Sequence, residues 1–384
     1  MKTTARALLA SSIIIASLLA SSCDNDFGVF KSIQDEKEQV GTTVFRKTTA
    51  TGAFKLGDYY YASTAMLNRR STAAGATAWE KVSINGLSNY SLRSAVVVGS
   101  SMYALITDPS DSKVKLFKSD DAASWTEVAQ PSANTTSTTY TFNLDALYSA
   151  GGHLYAEGHL YIDTGAATGT NEYTLYYYNG SSFSSVVNFA GNSARIIGVV
   201  SDGAAAATYW FASSSSLYSG TSADGSGASS IIGNYTDLSS KEICGLSYAG
   251  ALYVTTTGGY IYQGGTAAGS YLAALPLTSV VQVPSSSGNI ILVGTDTNDV
   301  DVDPVGYYEG NFGSLVVGST NHVVSYTSAI YSTTVSAFPV HSFYYDPDLK
   351  NLFVCISPGT TSANYYGLYE SSYDGSSWSG WDAQ

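Results

Sequence analysis

The sequence predicts an all-β fold, a β-propeller of seven four-stranded blades, behind a signal peptide and a short tether. Three observations lead there. Ser119-Asp120-Asp121-Ala122-Ala123-Ser124-Trp125 and Ser372-Tyr373-Asp374-Gly375-Ser376-Ser377-Trp378 share one skeleton, S-x-D-x-x-S-W, and each follows a short apolar run. Weaker copies of the same strand-turn-strand pattern lie before and between them, at a spacing of about 50 residues, which is the mark of one supersecondary unit repeated around an array. The chain also combines 37 Gly with only 8 Pro and 31 Tyr, a composition suited to tight hairpin turns and aromatic strands.

Residues 1–22 have the layout of an export signal: Lys2 and Arg6, an apolar stretch from Ala7 to Ala20, then small residues. The apolar run is shorter than the ~20 residues a membrane-spanning helix needs. Ala20-Ser21-Ser22-Cys23 resembles a relaxed bacterial lipobox, with Ala20 where Leu is usual and small residues at the two positions before Cys23. The resemblance implies lipidation of Cys23 by palmitate-type acyl chains, and hence an exported, membrane-anchored lipoprotein of the cell envelope. A diacyl or triacyl cysteine is a stable anchor where one chain is marginal. Residues 23–40 then form a tether, and its charge-dense part, 32–39 (SIQDEKEQ), is the one helix-tolerant stretch.

From 41 to 384 the pattern is strand and turn. Gly57-Asp58-Tyr59-Tyr60-Tyr61-Ala62 leads through Met66-Leu67 to Trp79. Gly152-His153-Leu154-Tyr155-Ala156 leads through 175–178 to Asn179-Gly180-Ser181-Ser182-Phe183, and Gly250-Ala251-Leu252-Tyr253-Val254 leads through 260–262 to Gly264-Gly265 and Tyr271. Fainter copies run through 209–211 to Asp224-Gly225, and through 290–293 and 307–308 to Leu315. Residues opening the last strand of each unit fall near 79, 125, 183, 228, 271, 315 and 378. The longer gaps before 183 and 378 leave room for insertions at 133–143 and 318–338, the second long enough to hide an eighth blade. A β-helix would repeat at a shorter period, and sandwiches would not repeat one turn. A ring of blades also leaves few open strand edges.

The S-x-D-x-x-S-W turns resemble the Asp box of BNR-type, sialidase-like propellers, whose consensus S-x-D-x-G-x-T-W is one residue longer. The local physics is plain. A short Asp carboxylate accepts hydrogen bonds from backbone N–H groups a few residues on, a residue of positive φ completes the turn, and Trp fixes the hairpin to the core. Ser119, Asp121, Trp125, Ser372, Asp374 and Trp378 are therefore structural residues, and the resemblance implies that they lie on the outer rim between third and fourth strands.

The same resemblance raises sialidase chemistry, which uses three arginines on the substrate carboxylate, a Tyr nucleophile with a Glu, and an acidic acid/base. After the leader the chain has Arg46, Arg69, Arg70, Arg93 and Arg195. Phe45-Arg46-Lys47-Thr48 is a faint echo of that family's F-R-I-P, Arg69, Arg70 and Arg93 read as solvated, and no arginine follows Arg195. The sequence thus favours a non-catalytic, lipid-anchored binding or scaffold protein with an unidentified protein or carbohydrate ligand, and a sialidase-like glycoside hydrolase is the alternative.

Other chemistry is weaker still. Asp299, Asp301 and Asp303 form a calcium candidate, but a calcium loop would want Gly where Pro304 stands and Glu where Gly310 stands. His153, His159, His322 and His341 lack triad companions, and no Cys/His spacing suggests zinc. Cys244 and Cys355 sit in apolar runs and read as buried free thiols. Without the leader, 30 acidic residues face 15 basic ones, net −15. Such a surface repels phosphate backbones, so nucleic acid is excluded as a partner. The tyrosines read mainly as blade-to-blade packing, with a minority left to bind sugars or peptides.

Overall fold

A computed structural model describes Phe45, 48–133, 135, 137, 139–165, 169–272, 274–296, 306–317, 339–356 and 367–384. The leader, the tether with Cys23, the triplet Asp299, Asp301 and Asp303, Arg46, His322 and the stretch 318–338 lie outside the described residues. Phe45–Gln384 forms one compact unit.

That unit is a seven-bladed β-propeller. Seven antiparallel four-stranded sheets follow one another along the chain, at 52–81, 91–128, 140–185, 196–230, 243–271, 277–317 and 340–383, here called blades 1 to 7. Within every blade the strands pair in sequence order. First strands of successive blades touch one another in turn, and that of blade 7 (Val340–Asp346) touches that of blade 1 (Gly52–Leu56), which closes the ring. Apart from two 3-10 turns, Ile232–Asn234 and Leu238–Ser240, the described residues hold no helix.

Seven apolar clusters occupy the seven contacts between neighbouring blades. Second strands are covered on both faces, so they read as continuous apolar or small-residue runs rather than alternating ones. Ser101–Thr107, Leu252–Thr256 and Asn351–Ile356 are buried almost throughout. Most tyrosines serve this packing: Tyr60, Tyr61, Tyr155 and Tyr262 are fully buried.

The third-to-fourth-strand turns of blades 2, 3 and 7 share one device. Asp121 accepts from the amides of Ala123 (2.8 Å) and Ser124 (2.7 Å), Asp374 from Ser376 and Ser377 (both 2.7 Å), and Asn179 in blade 3 from Ser181 and Ser182 (both 2.9 Å). The residue after each acceptor takes positive φ: Ala122 (56°), Gly375 (103°) and Gly180 (96°). Ser119 donates to Asp121 at 3.0 Å, whereas Ser372 turns away to Asn351 at 3.0 Å. Trp125 is buried and immediately precedes the last strand of blade 2, Thr126–Val128.

Three expectations change. Trp378 does not open the last strand of blade 7, which starts at Asp382 after Trp381; the hairpin is wider there, and the Trp378 indole donates to the Pro284 carbonyl of blade 6 at 2.9 Å. The stretch 133–143 is not simply an insertion, because Tyr140–Ala150 is an 11-residue first strand. With His153–Ile162 and Thr170–Tyr178 it carries blade 3 beyond the length of its neighbours. Arg70 is not solvated: it is 6% exposed at the join of blades 1 and 7, whereas Arg93 is exposed and ion-paired with Asp145 across blades 2 and 3.

Candidate functional site

Six of the seven first strands carry an irregularity, near their start in five and midway along the extended first strand of blade 3. The register with the second strand skips Arg93, Asp145, Ile197, Cys244 and His341 in blades 2, 3, 4, 5 and 7, and Thr278-Ser279 in blade 6. A β-bulge re-aims one side chain and frees a ladder N–H. Close to three of the bulges a first-strand amide donates across to the neighbouring blade: Leu147 to Ser94 of blade 2 (3.1 Å), Val280 to Ser247 of blade 5 (3.0 Å) and Phe343 to Ser279 of blade 6 (3.2 Å). These bulges lie at one end of the wheel. An up-and-down blade puts its third-to-fourth-strand turn at the other end, so the Asp121 and Asp374 turns are remote from them.

The bulges of blades 2 and 3 gather ionisable groups. Arg93 donates from Nη1 to Asp145 Oδ1 at 3.2 Å and from Nε to Thr107 at 3.0 Å. Asp145 Oδ2 lies 3.4 Å from His159 Nδ1. The other ring nitrogen of His159 is 2.8 Å from Asn171 Oδ1, and the ring stacks on Tyr173 with centroids 4.7 Å apart.

Beside this network stands a buried carboxylate. Glu157 is 1% exposed, in the middle of the second strand of blade 3. The Tyr148 hydroxyl donates to its Oε2 at 3.2 Å, and Arg195, itself 72% exposed, reaches within 3.9 Å of Oε1. Oε1 has no hydrogen bond among the described residues. Burial raises the Glu157 pKa above the usual carboxylate value, more than Arg195 and Tyr148 lower it. Burial and the facing carboxylate push the Tyr148 hydroxyl well above a tyrosine's ordinary value.

On the opposite face of blade 3 lies a cavity of about 320 Å³. The strand register brings Phe142, Leu160 and Glu172 abreast, then Gly158 with Thr174, so that alternate residues of three strands line one wall.

Cys244 and Cys355 are free, and burial raises them to about 11 and about 12. The described residues hold no group of His, Cys, Asp and Glu side chains able to bind a metal. Sequence reasoning singled out neither Glu157 nor Asp145. The available signal was a carboxylate lodged inside the apolar run 153–161.

No protein-family model and no curated protein matches the chain. Solved structures do. "Crystal structure of puromycin hydrolase" matches with a TM-score of 0.51 and 12% identity, over 84% of this chain and 51% of that one, so this chain spans about half its length. "YCF48 bound to D1 peptide" matches with a TM-score of 0.49 and 10% identity, over 86% of this chain and 94% of that one. A computationally designed protein, Ika8, matches with a TM-score of 0.44 and 8% identity, over 83% and 82%. At such identities the likeness is one of fold.

Proposed function

We propose that this protein is a lipid-anchored, non-catalytic binding or scaffold module of the cell envelope. Cys23 carries the anchor at the head of the 23–40 tether, and the propeller presents its bulged end, with the long blade 3, to an extracytoplasmic protein or carbohydrate. The observation that carries the non-catalytic part is the employment of the arginines. Arg70 pairs with Glu370 at 2.7 Å, Arg69 with Glu80 at 2.7 Å and Arg93 with Asp145 at 3.2 Å. Among the described arginines only Arg195 is without a close carboxylate partner, standing 72% exposed and 3.9 Å from Glu157, and one arginine does not make a three-fold clamp on a carboxylate.

The hydrogen bond from Tyr148 to Glu157 beside Arg195 favours a second reading, a sialidase-like glycoside hydrolase. A nucleophilic tyrosine needs its proton loosened, and burial acts on Tyr148 in the opposite sense. Two measurements test the proposal. Labelled palmitate should be incorporated by the wild type and not by Cys23→Ser; equal labelling would remove the anchor. A fluorogenic sialoside should show no turnover, whereas turnover abolished by Tyr148→Phe would establish the hydrolase instead.

A further inference from the structure

We infer that the cavity on the blade-2-facing side of blade 3 is a subsite for an organic ammonium group. Two aromatic rings cover its strand floor at Gly158. A Cβ on Gly158 would stand 2.5 Å from Cε2 of Tyr176 and 3.0 Å from Cε2 of Phe142, so both rings lie against backbone that only glycine leaves open. The rings meet at 88° with centroids 6.3 Å apart and form an aromatic corner. The carboxylate of Glu172 lines the same cavity and has no hydrogen bond or ion pair among the described residues. Gly191 leaves room beside it, since a Cβ there would lie 3.5 Å from Glu172 Oε2. The Thr174 hydroxyl is held in the wall by the Gly191 amide at 2.9 Å.

A carboxylate with no partner among the described residues, next to an aromatic corner and a hydroxyl, is complementary to an alkylammonium. The charge is met by Glu172, the adjoining methylenes by the rings, and the remaining N–H by oxygen. The volume is at the lower limit of small-ligand clefts, which run from about 300 Å³. It suits a single lysine side chain or one amino sugar rather than an oligomer. The net charge of −13 over the whole chain attracts cations and repels the acidic sugars a sialidase would take.

The inference rests on the binding-module reading only in that the ligand is held and released unchanged. Ligand-observed NMR and calorimetry on the full-length protein in detergent test it, with Nα-acetyl-lysine methylamide and glucosamine as amines and their N-acetylated counterparts as neutral controls. At least one amine should bind, its neutral counterpart should not, and Glu172→Gln should weaken binding by about 10- to 100-fold, as for loss of a hydrogen bond to a charged group. Binding of the lysine amide alone marks a protein side chain as the source, and binding of glucosamine alone marks a sugar. Phe142→Leu, which keeps the volume apolar and leaves Glu172 in place, should also weaken the amine. Failure of both amines, equal binding of the neutral controls, or an unchanged Glu172→Gln overturns the subsite and leaves the binding-module reading standing. An amine that binds and is then consumed overturns that reading and leaves the subsite.

Discussion

Asp121 holds its turn through one oxygen, which accepts two backbone amides and the Ser119 hydroxyl, and those bonds lower its pKa to about 2. A lowered carboxylate adds stability above its unfolded pKa, and that contribution is lost as pH falls toward the folded value. Asn179 does the same work in blade 3 without a charge. Asp121→Asn should therefore keep the turn and flatten the acid limb of the stability curve, while Asp121→Ala should lower Tm at every pH; equal losses for both would refute the acceptor role. Glu157 has the opposite sign. Its raised pKa means that the folded protein binds the proton more tightly than the unfolded chain, so stability falls as pH rises from the ordinary glutamate range through the folded value. Glu157→Gln should remove that decline and raise the urea midpoint at neutral pH relative to wild type, and a lower midpoint there would show that the charge is a net stabiliser. Much of the turn chemistry was legible from residue types. The fates of Arg69 and Arg70 were not, because neighbouring residues on a strand point to opposite faces, and only the ring determines which face is the join.

A blade is read most easily by its second strand and least easily by its first. Runs such as Leu252–Thr256 are apolar because both faces are covered, and the recurrence of that run, with the turn that follows, carried the blade count. The bulges left no comparable trace. One extra residue shifts the alternation by a single step, and Arg93, Asp145, Ile197, Cys244 and His341 share no chemistry that would align them. Their structural cost is visible in the serines that answer them. Ser279 accepts from the Phe343 amide across the blade 6–7 boundary, and Ser94 accepts from Leu147 across blades 2 and 3. Either Ser→Ala variant strands a part-buried N–H and should destabilise the propeller by about 1–3 kcal/mol. Ser285→Ala, in an exposed turn of blade 6, should shift it by less than about 0.5 kcal/mol. Matching losses in all three, measured by urea titration, would mean that the bulge amides need no partner. The blade 3 cavity belongs to this scale too, since Phe142, Gly158 and Glu172 converge only through strand register.

A ring must be shut somewhere, and here, among the described residues, no strand is shared between the two ends of the ring: blade 1 and blade 7 each take their four strands from one continuous segment. Side chains make the join instead. Arg70 sends Nη1 and Nη2 to the two oxygens of Glu370, at 2.7 and 2.9 Å, and Nη1 also donates to Gln384 Oε1. Its guanidinium lies 5.4, 5.1 and 5.5 Å from the ring centroids of Tyr60, Trp79 and Phe353. Tyr60 donates to Asp346 at 2.8 Å, Lys55 reaches the same carboxylate at 3.1 Å, and the Phe45 amide donates to the Gln384 carbonyl at 2.9 Å. A bidentate, part-buried pair of this kind offsets its own desolvation only while both members are present. Arg70→Met leaves Glu370 uncompensated and should cost about 3–5 kcal/mol, whereas Arg70→Met with Glu370→Leu should recover most of that loss. If closure is what the pair supplies, amide exchange in Arg70→Met should accelerate first in Gly52–Leu56 and Val340–Asp346, the strands on either side of the join. Exchange accelerated equally in all seven blades would make Arg70 an ordinary core residue, and the closure of the wheel would then rest on the apolar contact of Phe45, Trp79 and Phe353.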